Sequence, residues 1–127
     1  MKNKFIIAGL LPLVFALSSV PVIAQDEGSC AETLKNAQTL FARGQVEKIP
    51  DVLRNCMRSG FKREEQISAY RILIQSYLLE DRLAEADSTM LAFLVKYPEY
   101  QLSETDHPDF VSLYRSFRVK PLLQLTF

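Results

Sequence analysis

The sequence predicts an all-α fold made of two antiparallel helix hairpins and a fifth helix, ending in a short extended strand. Three observations carry this. Apolar residues recur at helical spacing from about Cys30 to Phe117. Glycines stand where the first two helices must stop, at Gly44 and Gly60. The connections between periodic segments are so short that successive helices can only fold back on one another.

The elements follow in order. A first helix over about Cys30 to Arg43 places Leu34, Ala37 and Phe41 on one face. A second begins near Glu47, tolerates Pro50 because it falls in the first turn, buries Ile49, Leu53 and Cys56, and stops at Gly60. The third, about Arg63 to Leu79, carries Ile67, Tyr70, Leu73, Ile74 and Tyr77. The fourth, about Leu83 to Lys96, carries Ala86, Met90, Phe93 and Leu94 and ends before Pro98. The polar run "EYQLSETDH" reads as a loop, and Pro108 opens a fifth helix that groups Phe110, Leu113, Tyr114 and Phe117.

The two hairpins echo each other. Phe41 and Tyr77, and Ala37 and Leu73, are 36 residues apart, and Leu53 and Met90 are 37 apart, the unit length of a helix-turn-helix solenoid. On these residues the chain resembles the tetratricopeptide repeats over about Cys30 to Tyr100. In the second unit Tyr70 stands at the family's first aromatic position, Leu73 at its leucine, Tyr77 at its tyrosine, Ala86 at its second-helix alanine and Pro98 at its closing proline. The first unit matches less fully, with Ala37, Phe41 and the Gly44 turn in place. Ile49 and Pro50 there, and Ile74 and Phe93 in the second unit, stand where the family has small residues. The resemblance implies a non-catalytic protein-interaction module. Two unrelated amphipathic hairpins are the alternative, because aromatic stripes at helical spacing also build ordinary cores.

Cys30 precedes the Gly44 turn by about as many residues as Cys56 follows it, so an antiparallel pair brings the two thiols level at the open end of the first hairpin. A disulfide there should stabilise the fold by about 3.5 kcal/mol in the chain-entropy account, given an oxidising compartment. Neither a Cys-x-x-Cys redox pair nor a four-ligand zinc set is present.

The N-terminus points to that compartment. Lys2 and Lys4 precede an almost unbroken apolar run from Phe5 to Val20, and Ala24 supplies the small residue before a cut, so residues 1–24 read as a secretory signal peptide. A membrane anchor is the rival reading, but Gly9, Pro12, Ser18 and Ser19 interrupt the run and no basic stop-transfer cluster follows. The remainder divides into a helical domain, 25–118, and a tail, 119–127. Lysine and arginine balance aspartate and glutamate over the whole chain, so loss of the leader lysines leaves a mildly acidic protein without the basic footprint of a nucleic-acid or anionic-lipid binder.

Catalytic signals are sparse. His107, the single histidine, lies between Asp106 and Pro108 at a helix start, where capping is the expected role. Glu80, Asp81, Glu85 and Asp87 crowd one turn but lack a base, a lysine or a glycine-rich loop beside them. No metal, cofactor or small-molecule substrate is called for, and no enzyme motif appears. The repeat resemblance instead implies a partner-binding stripe on the inner faces of the first helices, with Glu32, Lys35 and Thr39 beside Ser68, Arg71 and Gln75. Plain solvation of that stripe is the alternative.

The run "HPDFVSLYRSFRVKP" resembles the junction in a class of Gram-negative outer-membrane proteins whose short helical repeat domain precedes a β-barrel. Pro108, Phe110, Phe117, Arg118 and Pro121 match that pattern, and His107 stands where it has aspartate. It implies that Pro121 ends the last helix and that Leu123, Leu125 and Phe127 begin a strand, with an envelope protein or an attached barrel as partner at the inner side of the outer membrane. A free-standing periplasmic adaptor is the other reading. The exported chain is expected to begin at Gln25 and to carry no free thiol when oxidised, and intact mass with and without alkylation checks both; a retained leader or two alkylatable cysteines would contradict it.

Overall fold

The computed structural model describes the backbone of residues 27–125 and the side chains of residues 29–118. The proposed leader and Phe127 lie outside the described residues. The elements are α1 (Glu27–Ala42), a single 3-10 turn (Val46–Lys48), α2 (Ile49–Arg58), α3 (Arg63–Leu79), α4 (Leu83–Lys96) and α5 (Pro108–Leu125). Helices α1 with α2, and α3 with α4, form antiparallel hairpins, and α3 packs against all four of the other helices. The fold is all-α, with no strand among the described residues.

Both hairpin turns are built the same way. After α1, Gly44 adopts φ +78, its N–H bonds Phe41 O at 3.0 Å, and Gln45 N–H reaches back to Leu40 O at 2.9 Å. After α3, Asp81 takes the left-handed place at φ 60, its N–H bonds Leu78 O at 3.1 Å, and Arg82 N–H reaches Tyr77 O at 2.8 Å. This is the helix-ending motif in which a left-handed residue lets two amides satisfy the last carbonyls. Asp81 does it without glycine's freedom, at a cost of about 1 kcal/mol.

The matching turns fix the repeat register. Gly44 and Asp81 are 37 residues apart, and the same offset relates Ala37 to Ile74, Ile49 to Ala86, Leu53 to Met90 and Cys56 to Phe93, all buried side chains. The expected offset of 36 in the first helices is therefore one residue short. Ala37 corresponds to Ile74 and not to Leu73.

Two apolar clusters result, one on each side of α3. Leu34, Ala37, Val46, Ile49, Leu53 and Ala69 form the first, between α1, α2 and α3. Ile74, Met90, Phe93, Leu94, Tyr97, Phe110 and Tyr114 form the second, between α3, α4 and α5. Two buried polar side chains of α3 are satisfied on the spot: Gln66 Nε2 donates to Met57 O at 3.0 Å while its Oε1 accepts from Tyr97 Oη, and Ser76 Oγ donates to Ile72 O at 2.7 Å.

The tail departs from expectation. Pro121 does not end the last helix, and Leu123 and Leu125 are helical, not the start of a strand. An internal proline removes one N–H from the helical ladder and costs about 3 kcal/mol. A lone strand would leave a whole row of amides and carbonyls without partners, whereas the helix satisfies its own. Among the described residues no helix is long and apolar enough to cross a membrane.

Cys30 and Cys56 form the expected disulfide, with Cα atoms 5.7 Å apart, tying the start of α1 to the end of α2. Gly60, at φ +117, closes over it, and a Cβ at that position would sit 2.5 Å from Cys30 Sγ. Gly44→Ala meets open space and should cost only the left-handed backbone penalty, about 1 kcal/mol. Gly60→Ala should cost more, from its φ of +117 and from the clash with Cys30 Sγ, and its cost should fall in a Cys30→Ala/Cys56→Ala background. Urea unfolding of the four variants measures this, and a Gly60→Ala cost that is unchanged without the sulfurs would refute the contact.

Candidate binding surface

The six residues of the anticipated stripe do not share a surface. With an offset of 37, the α1 positions equivalent to Ser68, Arg71 and Gln75 are Ala31, Leu34 and Gln38. Glu32, Lys35 and Thr39 instead correspond to Ala69, Ile72 and Ser76, on the side of α3 that packs against the first hairpin. In α1 the same side has no hairpin before it among the described residues, and its residues are polar and exposed. Among the described residues they form the exposed α1 edge of the two hairpins.

Arg71 is also occupied. Its Nε donates to Asp106 Oδ1 at 2.8 Å, one terminal nitrogen lies 2.6 Å from the same oxygen, and that nitrogen reaches Thr105 Oγ1 at 3.3 Å. The Asp106 side chain is wholly buried, and its other oxygen accepts from Ser103 N–H at 2.7 Å and Tyr100 Oη at 3.0 Å. A buried carboxylate needs this set of partners, because desolvation without them costs several kcal/mol. The segment between α4 and α5 is thus a pinned loop.

Further contacts fasten it at both ends. Arg63 on α3 pairs with Glu99 and lies 5.0 Å from the centre of the Tyr97 ring. The hydrogen bond between them holds the Glu99 carboxyl below its usual range and raises the Arg63 guanidinium. From α5, Tyr114 Oη donates to Tyr100 O at 2.7 Å, and Arg118, stacked 5.0 Å over Tyr114, donates to the carbonyls of Pro98 and Tyr100. Phe117, expected on the fifth helix, and Arg118 both belong to α5. Burial, then the bond to Asp106, pushes the Tyr100 phenol up to about 12 from its ordinary 10.0. A raised phenol favours the folded state below pH about 10, and that contribution is lost as the pH climbs towards about 12.

His107 sits outside this network and caps α5, its Nδ1 accepting from Asp109 N–H at 3.1 Å. Around it α1, α3 and α5 converge on a crease lined by Phe41, Gln75, Leu78, Leu79, His107 and Asp109, with about 10 Å³ of free space, room for one water at most. Leu79 is 56% exposed there. On the other side α2 and α4 stand apart, leaving a groove of about 310 Å³ floored by Tyr70, Leu73 and Tyr77 and walled by Pro50, Arg54, Met57, Ser88, Thr89 and Ala92. Helical spacing alone assigned that floor to the core; its half exposure is a consequence of how far the second helices stand apart.

The acidic turn is occupied by its own neighbours. Arg82 lies 3.5 Å from Glu80 and 3.2 Å from Glu85, and stacks 4.8 Å from the centre of the Tyr77 ring. No group of three or more potential metal ligands occurs among the described residues. Comparison with family models, curated proteins and solved structures finds no match.

Arg71→Glu should set a second carboxylate against buried Asp106 and destabilise the domain by about 3–5 kcal/mol. Lys35→Glu, on the open edge, should stay within about 0.5 kcal/mol of the parent. Thermal unfolding followed by circular dichroism separates the two, and equal melting would show that the loop is not anchored through Arg71.

Proposed function

We propose that this chain is a non-catalytic protein-interaction module of the tetratricopeptide kind that works outside the cytoplasm and holds a segment of an envelope partner. The observation that carries the reading is the common register of the two hairpins. A constant offset of 37 residues, with matching turns and matching buried positions, makes the chain a stack of like units with α1, α3 and α5 side by side. Such a stack presents an extended surface, which is what solenoids use to bind. The disulfide is consistent with an exported protein.

Register moves the proposed contact surface off the anticipated stripe. Gln38, Ser68 and Gln75 on the inner helices, together with the crease around Phe41, Leu78 and Leu79, combine apolar contact with amide groups that can bond a peptide backbone. A free-standing adaptor fits better than a barrel-attached domain, because the residues that suggested a strand after Pro121 are helical through Leu125.

Photo-crosslinking residues at Gln38 and Gln75 should yield the same adduct in cells, while the same probe at Lys35 or at Asn55 on α2 should yield none. An adduct at Lys35 with none at Gln38 would move the contact to the N-terminal edge, and silence at all four positions would reject the reading.

A further inference from the structure

The constant register allows the two second helices to be compared position by position. On α2 the outward residues are Asp51, Arg54, Asn55 and Arg58, with Arg54 2.5 Å from Asp51 and Arg58 3.1 Å from Asn55. Thirty-seven residues on, α4 carries Ser88, Leu91, Ala92 and Val95 at the same places. Leu91 is 50% exposed and Val95 73% exposed. The fold tolerates charged and polar side chains at these positions, as α2 demonstrates, so packing among the described residues does not account for the apolar surface on α4.

The face is continuous. Ala84, Ser88, Leu91 and Val95 recur at i, i+4, i+7 and i+11, and the whole run from Ser88 to Val95 contains no charge. Small side chains at Ala84, Ser88 and Ala92 leave room for the larger ones of an opposing helix. The charges lie outside the run: before it Arg82 pairs with Glu85 at 3.2 Å and leaves Asp87 as the acidic group, and after it comes Lys96. An antiparallel crossing of two α4 helices therefore sets the acidic end of each against the basic end of the other. The polar N-terminal edge of Glu32, Lys35 and Thr39 is unsuited to receive this face, which disfavours head-to-tail growth and favours a closed pair.

We propose that the outer face of α4 is a homodimer interface, two copies meeting through antiparallel α4 helices across a two-fold axis with Leu91 and Val95 at its centre. The contact is separate from the proposed partner surface on α1, α3 and α5. One helix face per copy is a small interface, so the dimer is weak and concentration-dependent.

Sedimentation equilibrium on the oxidised chain as recovered after export, between about 10 and 500 µM, should show reversible dimer formation in the parent. Replacing Leu91 and Val95 with the residues their counterparts carry, Leu91→Arg/Val95→Arg, should raise the dissociation constant more than about tenfold while leaving helix content and melting unchanged. Asp87→Lys and Lys96→Glu should each weaken the dimer, and combining them should restore it. A parent that stays monomeric throughout overturns the proposal and leaves the face to a foreign helix. Dimers indifferent to the double arginine variant place the interface elsewhere, and failure of the charge swap to restore pairing rejects the antiparallel arrangement.

Discussion

Helix α3 has to be covered on two sides at once, and the rest of the architecture answers that constraint. Ala69 faces the first apolar cluster and Ile74 the second, so neither hairpin can leave without exposing part of this helix. An amphipathic helix has one apolar stripe and belongs at a surface, whereas one apolar on two flanks has to lie inside a stack. The buried polar groups of α3 fit the same logic. Gln66 spans from Met57 on one hairpin to Tyr97 on the other, joining the two units at a point where apolar contact alone would not fix their register.

The loop between α4 and α5 shows a second principle, that a polar segment can be structural. Its composition says turn, and its side chains are mostly exposed, yet one carboxylate organises it. Asp106 gathers an arginine from α3, a tyrosine from the loop itself and a backbone amide, and α5 contributes Tyr114 and Arg118 to the loop carbonyls. The fifth helix is therefore seated by apolar packing on α3 and α4 and by polar contacts to the connection before it. Desolvation offsets much of the attraction in a buried pair of this kind, so losing one partner costs far more than the pair itself contributes.

What could be read from the sequence divides along the range of the interactions concerned. The bounds of α3 and α4, both glycine stops and the Cys30–Cys56 pair follow from local spacing and from the arithmetic of one hairpin, and all of them hold. The one-residue error in register arose because Phe41 and Tyr77 are the conspicuous aromatic residues, while the structural equivalents are Leu40 and Tyr77, marked only by the carbonyls that accept the turn amides. That error carried the stripe to the wrong side of α1. Nothing local in the sequence names Asp106, 35 residues away, as the partner of Arg71. Pro121 lacks an amide and reads locally as a stop, but without a neighbouring strand helix is the better state for the residues after it, and α5 runs through Leu125.

The two hairpins hold themselves together by different chemistry, and the register shows where they part. Position for position, Phe93 of the second unit stands where the first has Cys56. In the second unit that ring stacks on Tyr70 at 5.2 Å, meets Tyr97 edge-on, and through Tyr100 reaches Phe110 and Tyr114. Among the described residues the first unit has no such chain; its buried side chains are aliphatic, with Phe41 and Phe61 only partly buried against them, and in place of the ring it has a covalent bond. Aromatic burial stabilises the folded state directly, whereas a disulfide acts chiefly by restricting the unfolded one and only where thiols oxidise. The integrity of the first hairpin is thereby tied to the redox state of its surroundings, while the second, with α5 and the pinned loop, is not. Because α3 belongs to both clusters, loosening of the first unit exposes Ala69 and its neighbours and is felt by the whole stack.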